Sequence, residues 1–380
     1  MQVCALANRR GCPPTPGEVS LVAELGSSDN GGAAEGLNNN IKKVFMKRLL
    51  PAITLLLPVA ASAQTQVNIY GVVDAYAGRT ATASAPQAVN AVNSGGMITS
   101  YYGFSGTEAL GGGLKAQFQI EGFFRGDTGE AGRFPGEAIF ARNANVGLAG
   151  EFGMVRMGRI ANPLFVAAGQ INPFGPSTRF SPLINQIYTA AGGNATLGDT
   201  GWSNSIQYAS NPVYDTTFVA QYSLGEQPGA HNNNWAAVAK YVGKELAVTV
   251  GGVNVRFGPG LSAAVPEQRT YLAAAAYDFK VVKLFASYSD HQAKVSERDA
   301  HSVQAGFTIP THGGAGRWMV AWSRLTEKAK VVPEFHRDTG AAGYDYNLSP
   351  RTDVYAVLMY DKISNASKGN TYVAGIRHRF

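Results

Sequence analysis

A chain of 380 residues with 45 glycines, 15% charged residues and two cysteines is long enough for one large domain or two ordinary ones. Its net charge of +6 is mild, and no basic run of the kind that tracks nucleic acid occurs, so no nucleic-acid partner is expected. Mean hydropathy is −0.08, and no stretch after Ala63 offers the run of about 18 apolar residues that a membrane-spanning helix needs.

In chain order, residues 1–45 are rich in Gly, Asn and Pro with no sustained apolar period, and both cysteines, Cys4 and Cys12, fall there. Residues 46–63, Met46 to Ala63, read as a secretory signal: Lys47 and Arg48 are a basic start, Leu49 to Ala60 an apolar core too short to span, and Ala61-Ser62-Ala63 a small-residue cleavage site. Pro51 and Pro58 would interrupt a buried helix over the same span. Cleavage is expected between Ala63 and Gln64. Residues 1–45 then read as a non-native, disordered upstream extension ahead of a true start at Met46; an unusually long n-region is the alternative. The exported part, 64–380, has no cysteine, so it uses neither disulfides nor thiolate chemistry.

From Gln64 the pattern is period-two alternation in segments of about ten residues between Gly/Asn/Pro/Asp turns. Leu114, Ala116, Phe118 and Ile120 alternate with Lys115, Gln117, Gln119 and Glu121; Val303, Ala305, Phe307 and Ile309 alternate with Ser302, Gln304, Gly306 and Thr308. Sixteen strands are expected, starting near 66, 98, 114, 138, 154, 202, 216, 235, 246, 269, 283, 301, 317, 338, 352 and 371, with eighteen within reach of the same pattern. The fourth, Ile139–Leu148, is ambiguous, because Asn143 and Asn145 break the alternation. Short turns, such as 110–113, 150–153 and 349–351, alternate with long connections near 78–97, 160–200, 257–268, 290–299, 325–337 and 361–369. Trp235 and Tyr241 share a face six residues apart, as do Tyr271 and Tyr277, with only alanines between them on that face. Six residues span roughly 20 Å, the spacing of two aromatic girdles on a lipid-facing band about 25 Å tall. A soluble core would put its largest side chains at mid-strand instead. The fold class is therefore all-β, a 16-stranded antiparallel transmembrane β-barrel with an apolar outer face and a polar lumen.

The last strand, Asn370–Phe380, puts Tyr372, Ala374, Ile376, His378 and Phe380 on one face. Together with Val67 to Asp74, Gly103 to Ala116, Val146-Gly147-Leu148, Met157-Gly158-Arg159, Asn172-Pro173-Phe174-Gly175, Tyr344 to Tyr355 and Gly375 to Phe380, taken in order, the chain resembles the trimeric general porins of Gram-negative bacteria, in their β-proteobacterial branch. The resemblance covers 64–380. It implies a passive outer-membrane diffusion channel for ions and small hydrophilic solutes, a homotrimer set in outer-membrane lipid and lipopolysaccharide, and a third loop folded into the lumen. It also implies a C-terminal signal, Tyr372, Ile376 and Phe380, read by the barrel-insertion machinery.

In that family, carboxylates on the third loop face arginines on the wall. Here Arg142 occupies one wall position and Arg159 is a second candidate, while Tyr101 and Gly201 stand where arginines are usual and Ser105 replaces a lysine. Loop residues 160–198 hold no Asp or Glu, and Arg179 sits among them. The expected constriction therefore comprises Arg142, Arg159, Arg179, Tyr101, Lys115 and Glu121, and the expectation is a wide, weakly anion-selective pore. A ring of positive groups at a narrow site concentrates anions. The six histidines show no metal-ligand spacing, so no metal or other cofactor is expected, and they read as solvated residues, mostly in loops, with His301 at a strand start. Two other classes stay open: an outer-membrane barrel hydrolase, for which no G-x-S-x-G and only His301-Ser302 speak, and a secreted β-rich adhesin.

Overall fold

The computed structural model describes residues 66–380 except 189–197, 227–231, 260, 262–265, 294–297, 330–333 and 365. The expected extension, signal segment and Ala63/Gln64 cleavage site lie outside the described residues. The strands are β1 (Gln66–Thr80), β2 (Val89–Ser94), β3 (Tyr101–Gly111), β4 (Leu114–Phe123), β5 (Asn143–Gly150), β6 (Gly153–Ala161), β7 (Gly201–Ala209), β8 (Thr216–Ser223) and β9 (Asn234–Val242). They continue as β10 (Leu246–Val255), β11 (Gln268–Asp278), β12 (Lys283–Ala293), β13 (Arg298–Thr311), β14 (Gly316–Ala329), β15 (Phe335–Asn347), β16 (Thr352–Ile363) and β17 (Lys368–Arg379). Two short helices, α1 (Pro163–Gln170) and α2 (Pro182–Tyr188), lie in the connection between β6 and β7.

β2 and β3 both pair antiparallel with β1, each strand from β3 on pairs antiparallel with its successor, and β17 returns to β1 from Val72↔Arg379 to Arg79↔Tyr372. Among the described strands no edge is left, as a hydrocarbon surround demands of every backbone polar group. The seal extends to the last residue. Phe380 N–H donates to the Gly71 carbonyl at 3.1 Å, and Gly71 N–H to the Phe380 carbonyl at 3.2 Å. A Cβ at Gly71 would meet the Phe380 ring at 2.5 Å and the Tyr101 carbonyl at 2.6 Å, so the closure needs a glycine there.

The seventeen strand segments make sixteen staves. The lower half of β1 pairs with β3 (Gln66↔Thr107 to Val72↔Tyr101) and its upper half with β2 (Ala75↔Ser94 to Thr80↔Val89). Residues 95–100 break that stave, and β2 falls where a long loop was expected. Val-Asn-Ala-Val-Asn-Ser carries no consistent alternation, yet the upper half of β1 needs hydrogen-bond partners, and that need recruits it. The fourth expected strand is corrected too: β5 begins at Asn143, not near 138. Asn143 and Asn145 do not break its alternation, since they pair with Glu121 and Gln119 on the lumen side while Ala144, Val146 and Leu148 face out.

The outer face is as expected. Trp235, Tyr241, Tyr271 and Tyr277 are all exposed on it, with Ala237, Ala239, Ala273 and Ala275 between them. The inner face departs from a uniformly polar lumen. On β9 to β12 it carries Ala236, Val238, Val253, Leu272, Ala274 and Phe285, all buried. The reason lies in the β6–β7 connection, whose described residues 162–188 fold into the barrel and cover them.

Candidate functional site

That connection, loop 3, starts as a helix because Asn162 caps it. The Asn162 side chain accepts from Leu164 N–H at 2.9 Å and Pro163 occupies the first turn. The apolar side of α1 (Leu164, Ala167, Ala168) then packs on the inner face of β9 to β11, while α2 lies against β13 to β15, with Leu183, Ile184 and Ile187 in the same buried cluster. Further along, Phe174 and Phe180 pack against Tyr76, Met319, Tyr355 and Val357 of the wall from β14 round to β1. Each such fully buried side chain contributes roughly 1.5–3 kcal/mol, so several of them fix the loop on two sides of the lumen. Gln186 adds polar pins, donating to the Ser323 carbonyl at 2.9 Å and the Arg337 carbonyl at 3.0 Å. A third tie runs through Asp74. Its carboxylate accepts the N–H groups of Gly96 (3.1 Å), Met97 (2.8 Å) and Ile98 (2.9 Å) and the Tyr355 hydroxyl (2.5 Å). It thereby holds the break in the β2–β3 stave beside Phe180.

The free side of loop 3 faces β3 to β6 across a space of about 80 Å³, lined by Phe165, Val166, Pro176 and Thr178 from the loop and by Arg133 and Arg142 from the opposite side. Two charged groups line this region. In the first, Arg142 lies over the Tyr101 ring, 3.9 Å from its centroid, and pairs with Glu121. Glu121 also accepts from Tyr70 Oη at 2.8 Å, from Gln119 at 3.1 Å and from Asn143. In the second, Asp199 joins Arg159 (2.6 Å) to Arg133 (2.9 Å), and Arg133 also pairs with Glu137 (2.5 Å).

Of the residues expected from sequence, Arg142, Tyr101 and Glu121 come together in the first group, and Arg159 joins the second. Arg179 projects from loop 3, exposed, between Phe180 and Thr178. Lys115 faces the lumen but lies six residues along β4 from Glu121, roughly 20 Å, beside the short turn at 111–113. The structure does not bring it to either group. Gly201 begins β7 without a side chain, and Ser105 faces Gln119 across the β3–β4 ladder.

Two arginines escaped the sequence reading. Arg156 pairs with Gly147 and Gln207 on the lumen face of β6, and its guanidinium donates to the Gln207 side chain. The signal was available, because Arg156 alternates with outward-facing Val155 and Met157. Arg133 carried none, since its loop has no period to read. The histidines also need correction. His291 is buried on the inner face of β12, with its ring nitrogens at 3.1 Å from Thr270 Oγ1 and Ser289 Oγ, and His336 lies in β15, whereas His301 and His378 stand in strands as expected. Among the described residues no group of three or more His, Cys, Asp or Glu could hold a metal ion.

Burial pushes the Asp199 carboxyl up, but the hydrogen bond from Arg133 and the charges of Arg133 and Arg159 outweigh it and hold the group below the ordinary carboxylate range. A depressed carboxyl contributes stability above its unfolded value, near 3.9, and loses it as pH falls through the lower folded value. Current noise of single channels should therefore be constant from pH 7 to about 4 and rise only below that. A rise between pH 5 and 6 would contradict the assignment.

A family model described as Gram-negative porin matches residues 51–366. Outer membrane porin protein 32 of Delftia acidovorans is 29% identical over 87% of this chain and 94% of its own length. An outer membrane porin protein of Bordetella pertussis is 27% identical over 88% of this chain and its whole length. In structure, the chain is similar to an anion-selective porin from Comamonas acidovorans, with a TM-score of 0.70 and 23% identity, covering 83% of this chain and all of that one. With a closed sixteen-stave barrel, a loop packed inside it and a family match along most of its length, the chain belongs to the Gram-negative porins and is a passive diffusion channel of the outer membrane.

Proposed function

We propose that this channel prefers anions weakly, at a constriction between loop 3 and the wall where Arg142, Arg156 and Arg159 act with Arg133 and Arg179. The observation that carries this is the order of charges in depth. Glu121 is 1% exposed and Asp199 14%, whereas the arginines they pair with, Arg142 and Arg159, are 28% and 19% exposed. An ion in the lumen meets guanidinium groups first and carboxylates behind them. Arg156, whose guanidinium bonds the neutral Gln207, adds a cation with no carboxylate in that pair. The preference is weak because three carboxylates, Glu121, Glu137 and Asp199, stand against these cations. That a solved porin of the same fold carries the description anion-selective supports the reading.

The test is a reversal potential in a potassium chloride gradient across a planar bilayer. Its sign should report chloride preference at 0.1 M and fade near 1 M, where the Debye length falls to about 3 Å. Cation preference at low salt would overturn the proposal.

The working form is a homotrimer embedded in outer-membrane lipid and lipopolysaccharide, inserted through the C-terminal signal of Tyr372, Ile376 and Phe380. These three side chains are exposed on the outer face, and a fold neighbour, OmpT of Vibrio cholerae, is described in a trimer form. The chain is exported by cleavage after Ala63. One preparation from outer membranes checks both: its N-terminus should be Gln64, and unboiled protein should migrate as a trimer that boiling dissociates. A retained 1–45 segment, or a monomer before boiling, would count against them.

A further inference from the structure

Loop 3 turns an apolar face to the arginines. In α1 the residues that pack on the wall, Leu164, Ala167 and Ala168, stand at i, i+3 and i+4, which puts Val166 on the opposite side of the helix, toward the lumen. Val166 is 41% exposed, where a helix facing water ordinarily carries a polar residue. It does not stand alone. Phe165, Pro176 and Ile98 line the same space, opposite Arg133 and Arg142. A Cβ on Gly169 would lie 3.0 Å from the Pro176 side chain, so Pro176 sits directly on α1 and the patch is continuous. Residues 160–198 hold no Asp or Glu, so no carboxylate of loop 3 interrupts it. Single exposed apolar side chains need no explanation, but a contiguous patch set across a narrow space from cations does.

The facing wall presents guanidinium groups on aromatic platforms. Arg142 lies over the Tyr101 ring at 3.9 Å and Arg133 over the Phe123 ring at 4.9 Å. Arg133 is committed to Glu137 and Asp199. Arg142 spends one terminal nitrogen on Glu121, and among the described residues the rest of its fork makes no hydrogen bond. Those donors match the two oxygens of a carboxylate. Two walls of different chemistry thus face each other. A small hydrated ion such as chloride gains from the charged wall alone. An anion with an apolar body gains from both, since its carboxylate meets Arg142 while its body covers Val166 and Phe165.

We infer that the constriction favours organic monoanions that join one carboxylate to an apolar body, of which benzoate is a simple aromatic case. The inference rests on the anion preference proposed above and names the chemistry of the anion. The contact stays weak, because conduction needs a solute that leaves as readily as it enters. Roughly 30 Å² of apolar surface taken out of water at the narrow point corresponds to a gain of about threefold.

The test places the full exported chain in a planar bilayer with potassium benzoate on one side and potassium acetate on the other. The reversal potential then gives the ratio of the two permeabilities. The parent should pass benzoate about threefold more readily than acetate, although benzoate is the larger ion and diffuses more slowly in water. In Val166→Asn the ratio should fall to parity or below, while the reversal potential in a potassium chloride gradient matches the parent. Arg142→Gln should lower both anions together and leave their ratio near the parent's, which separates the charged wall from the apolar one. If Val166→Asn disturbs the chloride response, Val166→Thr, which keeps the shape and adds a hydroxyl, takes its place, and its ratio should still fall. Acetate favoured by the parent would overturn the inference and leave the chloride preference standing. So would a benzoate preference that survives the change at Val166, since the apolar face would then not be its source. Cation preference of the parent in potassium chloride would overturn the selectivity reading and this inference with it.

Discussion

An Arg142→Glu channel should prefer cations where the parent prefers anions. The substitution replaces the guanidinium over Tyr101 with a carboxylate next to Glu121, which already accepts from Tyr70, Gln119 and Asn143. Two neighbouring carboxylates resist simultaneous ionisation, so the net change lies between one and two charges. A unit charge at 4 Å is worth about 1 kcal/mol in bulk water and about 4 kcal/mol at an effective dielectric of 20, and a wet lumen lies toward the lower value. Because the change disfavours anions and favours cations together, the permeability ratio should move by roughly tenfold at 0.1 M salt. Lys115→Glu, a comparable charge change some 20 Å along the same strand, should move it much less. The measurement is the reversal potential under a fixed gradient. Equal shifts for the two variants would show that the lumen responds to total charge rather than to the region facing loop 3.

Asp74→Ala should loosen the lumen and leave the barrel closed. The side chain is fully buried and takes three backbone N–H groups and the Tyr355 hydroxyl. Its removal leaves those donors without their acceptor, at an expected cost of about 3–5 kcal/mol. The β1–β3 and β1–β17 ladders do not use the carboxylate, so closure should survive. What it holds is the segment 95–100, in which Gly96 is wedged so tightly that a Cβ would lie 2.1 Å from the Tyr355 hydroxyl and 2.9 Å from the Phe180 ring. Phe180 anchors loop 3 on that side. Asp74→Ala channels should therefore show much larger open-channel noise and lose the compact band at lower temperature. Asp74→Asn, which keeps one acceptor oxygen, should fall between. Parent-like noise in both variants would mean that the apolar anchors hold loop 3 unaided.

The amino-acid sequence by itself determined the wall. In β11, Tyr271 and Tyr277 bracketing two alanines tell which side meets lipid, because a girdle and a soluble core place their large side chains at opposite heights. The same logic put the last strand outward through Phe380, located most strand starts within a few residues, and set Glu121 inside. Periodicity says which face a residue takes; it says nothing about what stands across the lumen. That is why the tertiary structure alone decided that Glu121 neutralises Arg142, and that Asp199 bridges Arg133 and Arg159, residues that come from separate loops and strands. It also decided that the inner faces of β9 to β12 are apolar. Ala236 and Val238 look inward between outward-facing Ala237 and Ala239, so both faces read alike until the packing of α1 supplies the reason. The β2 segment was hidden for a related cause. Its strand conformation comes from the hydrogen-bonding demand of β1, and that demand belongs to the closed sheet rather than to the six residues that satisfy it.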